Sequence, residues 1–311
     1  MISYSIVIST YNQKETVRKA LDSIESQIKN PKAFEIIVAD DGSNDGTNEF
    51  IKRQRYPIFL KYLQSPTNRG RAPNRNRGFQ KAVGEWVIFI DGDMIPAAGF
   101  IDAYMKAWNE FPNGVLLGSW EFPPKHEKSR WDDYFVTRGH LVLKDGDKVP
   151  GRFFTSGNFA IRRTLLERLG GFDMSFEGWG GEDTEFGLRL EKDGIPIYNI
   201  PGARCFHFHS KSLGDIIAEY ENFGRYGYPL LVKRFPQDVI YEQGWLLGLP
   251  GPGRNHGQAI LSSVLYPLRS NPFLAFLRGL AGVRRGKLMN DALLDMLFYG
   301  HMAKGFRKRA K

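Results

Sequence analysis

The chain has 311 residues, 42% of them hydrophobic and 25% charged, which is enough apolar material for one large or two small cored domains and excludes a disordered chain. A single cysteine, Cys205, excludes an intrachain disulfide, argues against a thiolate zinc cluster and suits a reducing, cytoplasmic compartment. The formal net charge of +9 points to a phosphate-rich ligand, an anionic membrane surface or nucleic acid, and the absence of a zinc-finger, basic-zipper or RNA-recognition signature disfavours the last.

In chain order, Ser5 to Ser9 reads as a short apolar strand, without the basic lead or apolar length of a signal peptide. Val17, Leu21, Ile24 and Ile28 then recur at helical spacing over residues 14 to 28. Glu35 to Ala39 predicts a second strand that runs into the turn-rich Asp40-Asp41-Gly42-Ser43-Asn44-Asp45-Gly46-Thr47, followed by another helix. A third strand is expected near Leu60 to Leu63, a helix around Asn74 to Ala82 and a fully buried strand at residues 86 to 90. This alternation predicts a parallel sheet with right-handed crossovers. From about residue 114 the spacing is less regular, with apolar pieces at Val115 to Leu117 and Phe159 to Ile161.

The clearest break is Gly248-Leu249-Pro250-Gly251-Pro252-Gly253. Beyond it, residues 258 to 306 predict two or three amphipathic helices, with Asn271-Pro272 and Asn290-Asp291 as helix starts. Arg278, Arg284, Arg285, Lys287, Lys304, Arg307, Lys308, Arg309 and Lys311 make this end basic. Two readings stand: a bundle packed on the core, or a surface that lies on anionic lipid. No run of 18 apolar residues is present, so no spanning helix is expected. The expected division is a catalytic domain over residues 1–235 and a basic helical extension over residues 236–311.

Two acidic clusters carry the chemistry. Asp91-Gly92-Asp93 closes the buried strand at its carboxyl end, where open α/β sheets place ligands and where carboxylates can hold a metal-bound diphosphate. Gly178-Trp179-Gly180-Gly181-Glu182-Asp183 suits removal of a proton from a sugar hydroxyl. Trp179 can stack on a pyranose face or be an ordinary buried aromatic. His207 and His209 share one side of an extended segment and offer imidazole nitrogen to a metal, unless they are structural. A site with histidine favours Mn2+ without excluding Mg2+. Asp41 can accept the ring N–H of uracil or belong to a plain turn, and a guanidinium such as Arg75 suits diphosphate oxygens.

Ile8-Ser9-Thr10-Tyr11-Asn12, Asp40 to Thr47, Asn68-x-Gly70 with Arg75-Asn76-Arg77-Gly78, and Asp91-Gly92-Asp93 resemble, in order, the motifs of glycosyltransferase family 2. The Gly178 to Asp183 segment is similar to the acceptor-side motif of chondroitin-polymerase-type domains and β-1,4-galactosyltransferases. The resemblance covers roughly residues 1 to 225 and implies an α/β fold of the GT-A type, a mostly parallel sheet flanked by helices. It implies that Thr10, Tyr11, Asn12, Asp41, Arg75, Asp91, Gly92 and Trp179 bind a nucleotide sugar, and that Asp93 holds the metal directly with help from Asp91. His207 is the preferred third ligand, with His209 the alternative, and Asp183 is the expected base with Glu182 on a sugar hydroxyl. Asp183 stands where retaining relatives have Asn, which favours inversion. The expected activity is transfer from a UDP-sugar, with GalNAc, Gal or GlcNAc favoured, to a glycan or lipid-linked acceptor, at the inner face of a membrane if the carboxyl end is an anchor. A dTDP- or GDP-sugar enzyme and a non-catalytic carbohydrate binder are the alternatives.

Overall fold

The computed structural model describes residues 2–124, 131–137, 143–176, 178–208, 211–238, 270–281 and 287–309. It divides into two compact units, the first comprising Met1–Glu127, Leu141–Met174 and Phe186–His209, the second Lys128–His140, Ser175–Glu185 and Ser210–Lys311.

The first unit is built on β1 (Tyr4–Thr10), β2 (Phe34–Asp40), β3 (Phe59–Gln64), β4 (Trp86–Asp91), β5 (Met94–Pro96), β6 (Val115–Glu121), β7 (Asn158–Arg162) and β8 (Ile197–His207). Among the described residues these form one eight-stranded sheet in the order β3-β2-β1-β4-β7-β6-β8-β5. The strands β3, β2, β1 and β4 are mutually parallel. The centres of β1, β2 and β4 are the runs Ile6-Val7-Ile8, Ile36-Ile37-Val38 and Val87-Ile88-Phe89-Ile90, almost wholly buried, as a sheet covered on both faces requires, while the edge strand β3 is only partly buried. Each such aliphatic side chain contributes about 1.5–3 kcal/mol on burial. At β7 the direction reverses: Ile88 pairs with Ala160 and Phe89 with Phe159 in antiparallel register.

Helix α1 (Lys14–Gln27) buries Val17, Ala20, Leu21 and Ile24, the stripe its spacing predicts. Helix α2 spans Thr47–Arg53. Helix α3 (Arg71–Phe79) begins and ends about three residues earlier than the sequence suggests. Its buried residues are Ala72, Asn74, Arg75, Asn76 and Gly78, without a large apolar side chain among them, so apolar periodicity could not place it. Helices α4 (Phe100–Glu110), α5 (Asp132–Thr137) and α6 (Arg163–Leu169) follow, and the boundary between units falls within α7 (Glu182–Lys192).

The second unit is helical: α5, the start of α7, α8 (Leu213–Asn222), a π-helical turn (Phe223–Gly227), α9 (Tyr228–Arg234), α10 (Asn271–Ala281) and α11 (Lys287–Arg309). Ser212 caps α8 through a capping box with Asp215. The core joins Tyr134, Ile216, Ile217, Leu274, Leu277, Leu294, Leu297 and Phe298. Asn271 does open α10, but Asn290 lies inside α11, which starts at Lys287. Asn and Asp disfavour a helix interior by only tenths of a kcal/mol, roughly up to 0.7, too little to break a long packed helix. The expected break at residues 248–253 and His209 lie outside the described residues.

Candidate active site

Within the first unit, the predicted nucleotide-side residues converge at the carboxyl ends of β1, β2 and β4. The amide of Asp41 donates to the Thr10 carbonyl (2.9 Å), and the amide of Gly92 to the Ser9 carbonyl (2.8 Å), so both acidic turns are fastened to β1. Glycine is required at 92 by proximity: a Cβ there would lie 2.6 Å from Thr10 Oγ1 and 2.5 Å from Gln13 Oε1. Asn12, at φ 54°, donates its amide to Ser43 Oγ (2.7 Å) and accepts from the Asn44 amide at Oδ1 (2.8 Å). Asparagine tolerates that left-handed backbone better than most residues. The neighbouring Tyr11 is 44% exposed, which leaves its ring available for stacking.

The two carboxylates of the Asp40-Asp41 turn have different surroundings. Asp40 is fully buried and accepts from the Ser43 amide (2.9 Å), the Ser43 hydroxyl (2.6 Å) and the Tyr62 hydroxyl. Asp41 accepts the amides of Arg69 (3.0 and 3.1 Å) and Gly70 (2.8 Å), which ties the loop before α3 to β2. A carboxylate has about four acceptor positions, so two backbone donors leave room for a further N–H.

Arg75 is almost completely buried and places Nη2 2.8 and 3.0 Å from the two Asp91 oxygens, with its guanidinium 5.5 Å over the Phe172 ring. Its geometry fixes Asp91 before any ligand arrives. Burial pushes the Asp91 carboxyl above its ordinary range; Arg75 and Arg71 oppose this, and Asp93 reinforces it. Phe172 is held in turn by Asn76, whose side chain donates to the Phe172 carbonyl (2.8 Å) and accepts its amide (2.8 Å).

Asp93 and His207 meet although 114 positions separate them, because β5 pairs antiparallel with β8 and sets Met94 opposite His207. The His207 Nε2 to Asp93 Oδ2 distance is 3.4 Å, and the Asp93 carbonyl accepts the Phe208 amide (2.8 Å). The Trp120 ring stands edge-on to the imidazole at 5.2 Å. Among the described residues, no three His, Cys, Asp or Glu side chains are grouped to hold a metal by themselves. A carboxylate oxygen and an imidazole nitrogen at this spacing nevertheless fit two neighbouring positions of an octahedral ion, about 3 Å apart for bonds near 2.1 Å. Mg2+-type sites usually take one or two protein ligands and complete the shell with phosphate and water.

In the second unit, Trp179 lies in a glycine-rich loop that the two acids follow directly in the chain. Gly178, Gly180 and Gly181 have φ of 81°, 93° and 104°, open to glycine and strained for other residues. The Trp179 ring lies 5.8 Å from Tyr220 and 6.4 Å from Phe223, with Lys211 Nζ 5.2 Å over it. Lys211 is held by Glu219 (2.6 and 2.7 Å), and its carbonyl accepts the Trp131 indole N–H (2.7 Å). Glu182 and Asp183 are the first two residues of α7; Glu182 is buried and Asp183 half-buried.

Sequence reading missed several supporting groups. Arg77, legible in the sequence only as part of the Arg75-Asn76-Arg77-Gly78 motif, spans strand ends, donating to the carbonyls of Asp40 (2.6 Å) and Leu63 (3.2 Å) and to Asn74 Oδ1 (2.6 Å). Asn74 in turn bonds the Ala39 carbonyl (2.7 Å) and Ser9 Oγ (2.9 Å). The available signal was the density of Asn and Arg in a helix too poor in apolar residues to pack any other way.

A parallel half-sheet with acidic turns at its strand ends, continued by a mixed half in which β7 and β5 run antiparallel to their neighbours, defines an α/β nucleotide-binding fold of the GT-A type. A family model described as glycosyl transferase family 2 matches residues 5–170, and one described as the N-terminal domain of galactosyltransferase matches residues 140–211. The chain belongs to glycosyltransferase family 2. It is 30% identical over 235 residues to a chondroitin synthase of Escherichia coli, covering 65% of this chain and 34% of that one. It is 29% identical over 220 residues to a validoxylamine A glucosyltransferase of Streptomyces hygroscopicus subsp. limoneus, covering 62% and 49%. The chain thus spans between a third and a half of the length of these curated relatives. Among solved structures, the mannosyltransferase PcManGT of Pyrobaculum calidifontis in complex with GDP-Man and Mn2+ superposes with a TM-score of 0.68 at 19% identity, over 99% of this chain and 88% of that one. TarS 1–349 of S. aureus in complex with UDP-GlcNAc gives 0.58 at 17% identity, over 99% and 92%. At these identities the likeness is one of fold.

Proposed function

We propose that this chain is an inverting, metal-dependent glycosyltransferase that moves a sugar from a UDP-sugar, with GalNAc, Gal or GlcNAc favoured, to a glycan or lipid-linked acceptor. The observation that carries the reading is the Asp93–His207 pair, 3.4 Å apart, beside an Asp91 carboxylate already held by Arg75. Asp93 and His207 would hold Mn2+ or Mg2+ with donor phosphate oxygens. When bound, the ion supplies positive charge to the departing diphosphate. Asp91 serves the donor ribose or the ion through water, and Asp41 and Tyr11 receive the base.

On the acceptor side, Asp183 takes the proton of the attacking hydroxyl while Glu182 holds a neighbouring one. The acceptor oxygen bonds to the anomeric carbon as the bond from that carbon to the phosphate oxygen breaks, inverting the centre. UDP leaves with the bonding electron pair, and the proton stays on Asp183 until solvent takes it. A panel of UDP-, dTDP- and GDP-sugars assayed for nucleotide release with Mn2+, Mg2+ or EDTA tests this. Metal-dependent release confined to a UDP-sugar is expected, whereas release confined to a GDP- or dTDP-sugar would replace the donor and none with any donor and acceptor would end the enzyme reading.

The residues assigned to donor and acceptor all lie within 1–235, and residues 236–311, read as a basic helical extension, would meet the cytoplasmic face of a membrane. Among the described residues no helix is long and apolar enough to cross a membrane. Helix α10 turns Leu274, Leu277 and Ala281 inward and leaves Phe276 58% exposed, with Arg278 exposed on the other flank, so an apolar and a basic side chain of this helix both face outward, as an anionic interface would use them. Flotation with phosphatidylglycerol vesicles is expected to carry the wild-type chain and to lose most of a Phe276→Ser/Arg278→Glu variant. Equal flotation of the two would count against α10 as the contact.

A further inference from the structure

The π-helical turn Phe223–Gly227 interrupts a continuous helical run from α8 into α9, a rare geometry that in many proteins marks functional sites. Its two glycines face different neighbours within the second unit. Gly227 has φ −77° and ψ −50°, a backbone any residue adopts, so the absence of a side chain there answers to space. A Cβ on Gly227 would lie 2.4 Å from the Gly180 carbonyl oxygen. A Cβ on Gly224 would lie 1.9 Å from the Met302 carbonyl oxygen, and one on Gly305 would lie 1.8 Å from the Glu221 carbonyl oxygen. The turn therefore rests on α11 on one side, and the Gly178–Gly181 loop rests on the turn.

Side chains reinforce both contacts. The Phe223 ring approaches the Cβ positions of Gly180 and Gly181 to 3.1 and 3.3 Å and meets Trp179 edge-on. Phe176 closes on Gly181. On the α11 side, Glu221 collects Lys304 (3.1 Å), Lys308 and His301 (3.3 Å), and Tyr220 stacks on Phe298 at 4.8 Å. A loop with three positive-φ glycines in four residues has little conformational preference of its own and pays a large entropy to be ordered. Its place is set by what it packs on, and Glu182 and Asp183 follow it directly in the chain.

We propose that the π turn is a positioning element for the acceptor-side acids: Gly227 and Phe223 set the Gly178–Gly181 loop, and α11 sets the π turn through Gly224, Gly305 and Glu221. This rests on the assignment of Glu182 and Asp183 to the acceptor. It makes the carboxyl-terminal helix a part of the transfer machinery, whatever surface that end also meets. None of these residues is assigned to donor or acceptor, and the role proposed for them is geometric, where a displacement of about 1 Å can cost about 10²-fold in rate.

The test compares Gly227→Ala, Glu221→Gln, Gly279→Ala and Asp183→Asn in the full chain, once a donor and acceptor are in hand. Each is assayed for transfer, for donor hydrolysis without acceptor and for UDP affinity, and its fold is checked by circular dichroism. Gly279, in α10, has nothing within 4 Å of its Cβ position, so Gly279→Ala is the control and keeps all three values. Gly227→Ala is expected to lower transfer kcat or raise acceptor KM by about 10²-fold, with donor hydrolysis and UDP affinity held within about twofold. Glu221→Gln, which leaves every backbone contact in place, is expected to shift transfer the same way by a smaller factor and carries the test if Gly227→Ala does not fold. If Asp183→Asn abolishes transfer while Gly227→Ala and Glu221→Gln retain it, the positioning role is overturned and the acid assignment stands. Should Asp183→Asn itself retain transfer, the acid assignment fails and the positioning role falls with it. Parallel loss of transfer, hydrolysis and UDP affinity in Gly227→Ala would also overturn it, since that is general damage.

Discussion

Asp183→Asn is expected to lower transfer by about 10²- to 10⁴-fold while UDP affinity changes by less than about twofold. The amide keeps the size of the carboxylate and its place as second residue of α7, but it has no basic oxygen to receive the acceptor's proton. A competing account is structural: Glu182, Asp183 and Glu185 all lie in the first turn of α7, where negative charge complements the helix dipole. That effect is worth about 0.3–1 kcal/mol per charge, so removing one would soften the helix start and barely alter turnover. Rate and stability thus separate the accounts. Near-wild-type kcat with a slightly lower melting temperature would remove Asp183 from the role of base. A rate loss of orders of magnitude with unchanged melting would support it.

Asp93→Ala is expected to reduce both transfer and donor hydrolysis by about 10³-fold and to abolish the response to added Mn2+, because it removes the carboxylate proposed to hold the ion at the diphosphate. EDTA on the wild type should reproduce the loss, and Mn2+ should reverse it. Titration of Mn2+ into protein with UDP gives a readout independent of turnover: heat of binding for the wild type and little for the variant. His207→Ala should weaken Mn2+ binding while leaving partial activity with Mg2+, since the harder ion depends less on imidazole. Normal metal response in Asp93→Ala would move the ion's site elsewhere. The fold should survive the substitution, because Asp93 sits at a strand end and its backbone carbonyl, which accepts from Phe208, is untouched.

The parallel half of the sheet was legible because β1, β2 and β4 are buried on both faces and write themselves as unbroken Ile and Val runs. The carboxylates at their ends were legible for the same reason, since a strand end followed by Asp and Gly leaves little doubt about where the chain turns. Helix α3 was misplaced by about three residues because polar contacts hold it: Asn74 on the Ala39 carbonyl, Arg75 on Asp91, Asn76 on Phe172. Hydrogen bonds of that kind obey geometry and leave no periodic trace. Likewise, Arg77 was visible as part of a motif, but its role in tying the ends of β2 and β3 depends on carbonyl groups, which every residue carries, so the sequence did not assign its partners. The start of α11 was misread at Asn290-Asp291 because a capping signature inside a long helix looks the same as one at its beginning. The convergence of Asp93 and His207 needed the antiparallel β5–β8 pairing, a short strand of three residues that no pattern announces.

That pairing also orders the birth of the protein. The pairings among β1, β2, β3 and β4 all fall within the first 91 residues, so these four strands can pair while the chain is still emerging. The partner of Met94 is His207, and until that residue leaves the ribosome the carboxylate of Asp93 has no imidazole to face. Closing so long a loop is entropically the slow part of assembling a sheet. On the proposed reading, a nascent or truncated chain would possess the strand ends assigned to the nucleotide while lacking the completed pair, and competence for a divalent ion would mark the docking of β8.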